Sequence, residues 1–514
     1  VNDDAHVLAD AQAAAERGDW ERVVTLLADV APADADQRIA AAFLGARAAL
    51  HADAPARALD ALDGLADAIT RPDDVVTATM LRGAAHVTLG RVDAGLALLD
   101  QAAAGAVGDR RHEALLELAR GLWRTERVGD VAVALDAILS ANAVGAAPAG
   151  ILARTYELYG RLELRRYRRP IAARHFRDAL DALAWAPLPE LPLRAGLLHA
   201  VLAIAIDTLD LRLLEQVRAA LHALDWSPVA LHARRRAVLP LLALGDLLLG
   251  DLQAAWEIGY ALRAESAPGL QRIVADLTAA QVSRAGGDRW VPGHLLRRAA
   301  AAAADVSWSD TGVAGARALF TLVAELAPGD PDTARALLAI ADAFPYPATV
   351  TGEDDSDLVP LEYLARAAVE GAAGNGEAQV EHLHRAIARW HEVGNVYGEL
   401  RASLTLAQLT GDRRALERAS ELTDLVPRSW LHRQCAGLAQ RAQSVAMLSP
   451  AEQRVLWALI EGLSTEQIAV NFNRSKNTIR NQTRNVFEAM GVRTRSALVA
   501  RCAALGLIAP RQRS

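Results

Sequence analysis

Lysine is almost absent. The 514 residues hold a single one, Lys476, and arginine supplies the rest of the 55 basic side chains. A phosphate-cradling Gly-x-x-x-x-Gly-Lys-Ser/Thr loop needs a lysine behind its second glycine. Lys476 follows Arg474-Ser475, so the sequence contains no such nucleotide-hydrolysing loop. Arginine in place of lysine, with abundant alanine, reads as the coding bias of a high-GC bacterium. Cysteine is nearly missing too: Cys435 and Cys502 alone cannot build a disulfide framework or a thiolate metal site, which fits a reducing cytosol. Long apolar runs are lacking. The longest, Ala237 to Gly245, is too short to span a bilayer and meets Asp246. The first residues show no basic-then-apolar leader pattern. The expectation is a cytoplasmic protein with no membrane partner.

Aromatic residues make up 4% of the chain, and the alternating pattern of strands is missing, so alanine- and leucine-rich helices must carry the fold. A receiver domain of alternating strands and helices is thereby excluded. No pair among His382, His384 and His391 has the spacing that sets two imidazoles on one metal. No nucleophile, paired-carboxylate or metal constellation can be placed, so neither an enzyme nor a cofactor is expected. The ten tryptophans read as packing residues.

What is present is a period. Small polar turns recur about 35–45 residues apart, in the range of helix-pair repeats: Gly18-Asp19, Ala52-Asp53, Gly90-Arg91, Gly129-Asp130, Arg166-Tyr167, Leu209-Asp210, Gly250-Asp251, Gly287-Asp288, Gly329-Asp330, Asn375-Gly376 and Gly411-Asp412. Amphipathic segments flank each turn, for example Val76–Leu89 before Val92–Ala103, and Leu239–Leu249 before Leu252–Leu262. Roughly ten or eleven pairs are expected, stacked into a superhelix because one pair cannot bury its own apolar stripe. The best-formed turn, Gly18-Asp19-Trp20 with Val23, Val24 and Leu27, resembles the tetratricopeptide pattern.

Two stretches break the rhythm. Phe344 to Pro360 is rich in proline and acid, with Glu353, Asp354, Asp355 and Asp357, and reads as a long solvated loop; its spacing does not match a calcium loop. Arg165, Arg166, Arg168 and Arg169 crowd a short segment. They either form an anion- or ligand-binding patch or, more commonly for such a run, a solvated face paired with Glu157, Glu163 and Asp178.

The C-terminal segment differs in charge. From Ser449 onward there are ten Arg or Lys against four Asp or Glu, whereas the whole chain is at −7. A basic tip on an acidic body suits contact with DNA by that tip alone. Within it, Ser449-Pro450-Ala451-Glu452 and Ser464-Thr465-Glu466-Gln467 have capping-box spacing. The turn Asn471–Arg474 precedes a helix capped by Ser475 and closed by Gly491, and a fourth helix runs from Thr494 to Leu505. Ile479, Thr483, Val486, Phe487 and Met490 share the inner stripe of the third helix, while Asn477, Arg480, Asn481, Arg484 and Glu488 fall outside. Arginine and asparagine are the residues that bond bidentately to guanine and adenine. Helix, short helix, turn and recognition helix make a helix-turn-helix.

This segment resembles the LuxR-type (GerE-type) DNA-binding domain. The matching residues are Leu448-Ser449-Pro450, Glu452, Val455-Leu456, Glu461-Gly462-Leu463-Ser464, Ile468-Ala469, Ser475, Thr478-Ile479, Val486, Met490-Gly491-Val492 and Arg495. The resemblance implies groove contacts by Arg480, Asn481 and Arg484, phosphate contacts near Lys476 and Thr478, binding as a homodimer, and part of the dimer contact from the Thr494–Leu505 helix. Arg474 and Asn477, on the same approach, complete the candidate set. Thr465-Glu466-Gln467 stands where the family usually opens with Asn-Lys-Glu, Gln482 where histidine is common and Ala489 where lysine is common. Two phosphate-binding cations are therefore missing, and Glu466 puts an anion in place of one. The large ATP-binding regulators of the family carry a nucleotide-hydrolysing domain ahead of helical repeats; this chain resembles their last two parts.

The expected fold is all-α: a tetratricopeptide-like helix-pair superhelix over 1–426, a helical linker over 427–447 with its hinge at Gln440–Ser444, and a four-helix helix-turn-helix domain over 448–514. The expected function is transcription regulation at an inverted-repeat operator in double-stranded DNA. The array would take a peptide, protein or small-molecule ligand. The competing expectation is a repeat scaffold whose helix-turn-helix has become a docking module.

Overall fold

In the computed structural model the chain is described from residue 3 to residue 504, apart from 17, 29, 31, 33, 66–67, 143–146, 187–189, 229–230, 289, 344–356 and 447. The described residues form 27 α-helices and no strand. The first 22 make eleven consecutive pairs: α1 (Asp3–Glu16) with α2 (Trp20–Leu27), α3 (Ala35–His51) with α4 (Pro55–Asp63), α5 (Pro72–Thr88) with α6 (Val92–Gly105), α7 (Gly108–Arg124) with α8 (Val128–Asn142), α9 (Ala149–Arg165) with α10 (Arg169–Ala184), α11 (Leu191–Thr208) with α12 (Leu211–His222), α13 (His232–Leu249) with α14 (Leu252–Glu265), α15 (Leu270–Ala285) with α16 (Val291–Ala303), α17 (Gly312–Leu326) with α18 (Pro331–Ala343), α19 (Leu358–Ala372) with α20 (Gly376–Glu392), and α21 (Val396–Thr410) with α22 (Arg413–Thr423). Then come α23 (Trp430–Ala446), α24 (Pro450–Ile460), α25 (Thr465–Asn471), α26 (Lys476–Ala489) and α27 (Arg495–Ala504). By compactness the chain divides into one unit of residues 1–246 with 251–395 and another of 247–250 with 396–514.

The Gly-Asp period has a local cause. The glycine closes one helix in the left-handed region, at φ 76° for Gly18, 84° for Gly250 and 69° for Gly411, where a β-carbon is penalised. The aspartate then caps the next helix. Asp19 accepts from the Arg22 amide, Asp251 from Ala254, and Asp412 from Arg414 and Ala415. Leu209 (φ 54°) and Tyr167 (φ 57°) hold the same conformation with side chains attached. Nine of the eleven turns fall between paired helices as expected, and a tenth, Asn375-Gly376, straddles the start of α20. The exception is Gly129-Asp130, which lies inside α8. The reversal comes earlier, with Glu126 at φ 61°, and Asp130 sits in the first turn of α8, accepting from Arg127 Nε at 2.8 Å. Helix α13 also starts before its expected Leu239, at His232, and runs through Pro240. The hinge expected at Gln440–Ser444 lies within the helical backbone of α23. Of the proline- and acid-rich stretch, residues 344–356 lie outside the described residues, as does Leu505. Asp357 forms a two-pronged pair with Arg317, at 3.0 and 2.9 Å.

Pairs pack through small residues. A β-carbon on Gly83 would stand 2.8 Å from Leu99, and one on Gly95 would stand 2.7 Å from the Val87 amide, so α5 and α6 touch backbone to backbone. One apolar cluster runs through α15–α19 around Phe320 and Leu322, another through α5–α9 around Leu99, Leu135 and Leu162. Among the described residues one helix, Leu191–Thr208, is long and apolar enough to cross a membrane. It packs against α10 and α12 with Leu197, Leu198, Val201 and Leu202 buried, so its apolarity follows from burial on several faces. Tryptophan serves both inside and outside: Trp123, Trp308 and Trp390 are buried, Trp185 and Trp290 exposed.

The first unit also closes on itself across a long span of sequence. Arg169 is 1% exposed. Its Nε donates to Asp207 Oδ2 at 3.0 Å and its Nη1 to the Val393 carbonyl. Asn395 Nδ2 donates to Asp207 Oδ1 at 2.9 Å. Nearby, Arg389 bonds the Tyr167 hydroxyl at 3.0 Å and lies over its ring. The buried guanidinium is thus satisfied by a carboxylate at the end of α11 and a carbonyl just after α20. Arg169→Ala takes away the buried charge itself and leaves Asp207, 23% exposed and still bonded by Asn395, so it should cost the charged hydrogen bonds, about 1.5–3 kcal/mol. Arg165→Ala, which removes only a cation–π contact to Trp123, should cost about 0.5–1 kcal/mol. Urea unfolding midpoints of the two variants check this; equal losses would show that Arg169 does not join the two regions.

A second buried charge makes stability depend on pH. Asp246 is fully buried, 2.7 Å from Arg218 Nε, which also pairs with Asp251. Burial outweighs the attraction of Arg218, with Asp251 adding repulsion, and the Asp246 carboxyl is pushed up to about 7 from 3.8. Between those values the folded chain holds a proton that the unfolded chain releases, so this group lowers stability progressively as pH rises from about 4 to about 7. Asp246→Asn should flatten that part of the curve of melting temperature against pH. An unchanged curve would place the Asp246 titration elsewhere.

Candidate nucleic-acid interface

The last four helices build their own core from Leu448, Val455, Leu456, Leu459, Ile468, Ile479, Val486, Met490, Leu498 and Cys502. Both expected capping boxes form. Ser449 accepts from the Glu452 amide while Glu452 reaches back to the Ser449 amide, and Ser464 and Gln467 do the same. Two further contacts fix the helix angles. Asn485 Nδ2 donates to Glu452 Oε1 at 2.6 Å, tying α26 to α24; this bond, then those from Ser449, holds the Glu452 carboxyl below its usual range. Arg495 donates from Nε (3.0 Å) and Nη2 (2.5 Å) to the Leu459 carbonyl, where α24 runs out of internal donors.

The turn before α26 closes with the Arg474 amide on the Ala469 carbonyl at 2.9 Å and the Asn473 amide on Val470 at 3.1 Å. Asn473 takes the left-handed conformation (φ 49°), which asparagine tolerates. Ser475 then caps α26, accepting from the Thr478 amide at 3.1 Å.

Ile479, Val486 and Met490 are buried, with Thr483 and Phe487 partly so, as the inner stripe requires. Arg474, Lys476, Asn477, Thr478, Arg480, Asn481, Arg484 and Glu488 are all exposed. No hydrogen bond among the described residues engages the side chains of Asn477, Arg480 or Asn481, and Arg484 meets only Glu488, at 4.0 Å. One feature was not visible in the sequence. Lys476 Nζ stands 3.5 Å from Glu466 Oε1, so the anion that opens α25 neutralises the cation that opens α26. Its own backbone amide, and then Lys476, hold the Glu466 carboxyl below the usual range. Val470 and Trp457 add exposed apolar surface.

The arginine-rich segment is spread over separate contacts. Arg165 lies 4.2 Å above the Trp123 ring. Arg166 and Arg168 both pair with Glu163, at 2.7 and 3.5 Å, and Arg169 points inward.

Fold and surface together define a helix-turn-helix domain that follows an array of helix pairs. Residues 446–502 match the family described as bacterial regulatory proteins, luxR family (GerE). Two solved structures are similar to the chain. A Rap protein complexed with competence and sporulation factor is 13% identical, with a TM-score of 0.43 over 79% of this chain and 100% of that one. The APC/C hetero-tetramer Cut9–Hcn1 is 12% identical, with a TM-score of 0.39 over 98% of this chain and 90% of that one. No curated protein matches the chain.

The Glu466–Lys476 pair can be tested directly. Glu466→Gln should tighten binding to specific and random duplex alike, because it frees Lys476 and removes an anion from the approach. In a Lys476→Ala background the gain should shrink. Fluorescence anisotropy on all four combinations measures the coupling; fully additive effects would mean that the two side chains do not meet in solution.

Proposed function

We propose that the chain is a transcription regulator that reads double-stranded DNA through α26 and whose helix-pair array takes the signal. The observation that carries this reading is the exposed, unengaged row Asn477, Arg480 and Asn481, with Arg484 one turn on, on the capped third helix of a domain that matches the luxR family. Arg480 and Arg484 are four residues apart and reach one groove from one face. Arg474, Lys476 and Thr478 flank the N-terminus of α26 and fit phosphate contacts, which position the helix without reading sequence. On this reading residues 1–426 are the array, 427–447 a helical connector and 448–514 the reader. Two readers, one per half-site, form a homodimer on an inverted repeat, with α27 in the contact between them. The array takes a peptide, protein or small-molecule ligand and acts by favouring one arrangement of the chain over another. The protein is cytoplasmic and bacterial on the same reading.

One observation favours a second reading, a scaffold with a docking module: the only lysine of the sequence is neutralised by Glu466. A gel shift on random duplex at low salt separates the two.

Base-reading and phosphate-facing residues should fail differently. Arg484→Ala or Asn481→Ala should cost about 1–3 kcal/mol on the preferred site and relax preference at one or two base pairs. Lys476→Ala should weaken all sequences evenly and lower the salt slope by at most about one. Binding to a randomised operator library at two salt concentrations checks both. A uniform loss for Arg484→Ala together with altered base preference for Lys476→Ala would refute the helix register.

A further inference from the structure

Asp276, on α15, is fully buried, and three arginines from three helices converge on it. Arg298 of α16 takes both carboxylate oxygens, with Nε on Oδ2 at 2.7 Å and Nη2 on Oδ1. That bidentate pair gives each carboxylate oxygen one charged hydrogen bond. Arg263 of α14 and Arg272 of α15 are left at 3.7 and 3.9 Å, beyond hydrogen-bond reach. Arg272 Nη1 donates to Ser266 Oγ (3.1 Å) and the Arg263 carbonyl (3.3 Å), both neutral, and Ser266 Oγ in turn donates to that carbonyl at 3.2 Å. The buried Nε of Arg263 has no hydrogen-bond partner.

Three guanidiniums against one carboxylate leave two positive charges in excess. The Arg263 and Arg272 side chains are 37% and 36% exposed, so both reach solvent from a partly desolvated base. Two forks anchored beside one buried carboxylate are pre-organised, which lowers the ordering cost of a ligand that bridges them.

We propose that Arg263 and Arg272 bind the phosphoryl group of a small molecule. Its two negative charges match the excess, and its terminal oxygens suit two planar forks. Asp276 and Arg298 hold the forks in place. The inference goes beyond the DNA-reading function and does not depend on it, because every residue of the site belongs to the array.

The test is calorimetric titration of the full chain with inorganic phosphate and, separately, with ribose 5-phosphate, against sodium chloride of equal ionic strength. Saturable binding of one anion per chain is expected. It should weaken by about tenfold or more in Arg263→Gln/Arg272→Gln, from the loss of charged hydrogen bonds, and stay unchanged in Arg480→Ala/Arg484→Ala. Tighter binding of the sugar phosphate identifies a phosphorylated metabolite, and equal binding identifies free phosphate; both support the site. If the double variant fails to fold, Arg263→Lys keeps the charge and loses the fork, and should still weaken binding. No saturable binding by the native chain would overturn the proposal. So would native-like binding by the folded double variant, or loss of binding in Arg480→Ala/Arg484→Ala.

Discussion

An amphipathic helix pair cannot bury its apolar stripe within itself, and the array follows from that one constraint. Each pair must lend a face to the next. Small residues at the crossings, such as Gly83 against Gly95, let backbones meet, and the larger side chains then fill the spaces between consecutive pairs, as Leu99, Leu135 and Leu162 do across α6–α9. The continuous clusters through α5–α9 and α15–α19 are the result. The same constraint explains why α11 is apolar almost all round: with neighbours on both sides, it has little solvent-facing surface to keep polar. The Gly-Asp turn serves it too, because a sharp left-handed stop with an immediate N-cap keeps successive helices short, antiparallel and in contact.

Polar groups enter this apolar stack only where several partners satisfy them. Arg169 shows the condition met, with Asp207 and a backbone carbonyl around one guanidinium and Asn395 on the carboxylate beyond. Asp246 shows it half met: Arg218 faces it but burial prevails, so its proton stays on into the neutral range. Around Asp276 the imbalance is of sign, with more cation than carboxylate. These three sites share a chemistry and differ in how far charge is compensated, which is why one reads as a structural tie, one as a pH-dependent weakness and one as a place for an anion.

Much of this was legible in the sequence because its causes are local. Gly18-Asp19 and Gly250-Asp251 announce their turns since the left-handed stop and the cap need those residue types at adjacent positions. Ser449 and Ser464 announce helix starts through the glutamate and glutamine three residues on. The exposed row on α26 follows from helical spacing alone. Local patterns also misled. Gly129-Asp130 has the right letters, but Arg127 draws Asp130 into the first turn of α8 and Glu126 takes the left-handed position. The expected segment began at Leu239, whereas α13 begins at His232 and continues through Pro240 despite the missing donor. Contacts made across the fold were out of reach. Nothing near Arg169 indicates that its partners are Asp207 and Val393. Nothing in the turn Asn471–Arg474 says that it brings Lys476 to Glu466.

On the proposed reading, charge decides how the reader must work. The structure uses several of its cations internally: Arg495 binds the Leu459 carbonyl, Arg454 lies over Phe472, and Lys476 is held by Glu466. Among the described residues Arg474, Arg480, Arg484 and Arg493 remain exposed for the nucleic acid. Each neutralised phosphate contributes roughly 0.9 to the salt slope, so every cation held internally lowers the sequence-independent affinity. The acidic array adds repulsion. Affinity must then come from base-edge contacts and from a second reader engaged at the same time, where the second contact becomes intramolecular and far more favourable. A lone reader would be driven off by modest salt, whereas two on adjacent turns of the duplex would hold. A reader with part of its positive charge held internally thereby makes occupancy depend on how the chains are arranged, and that arrangement is what a signal received by the array can change.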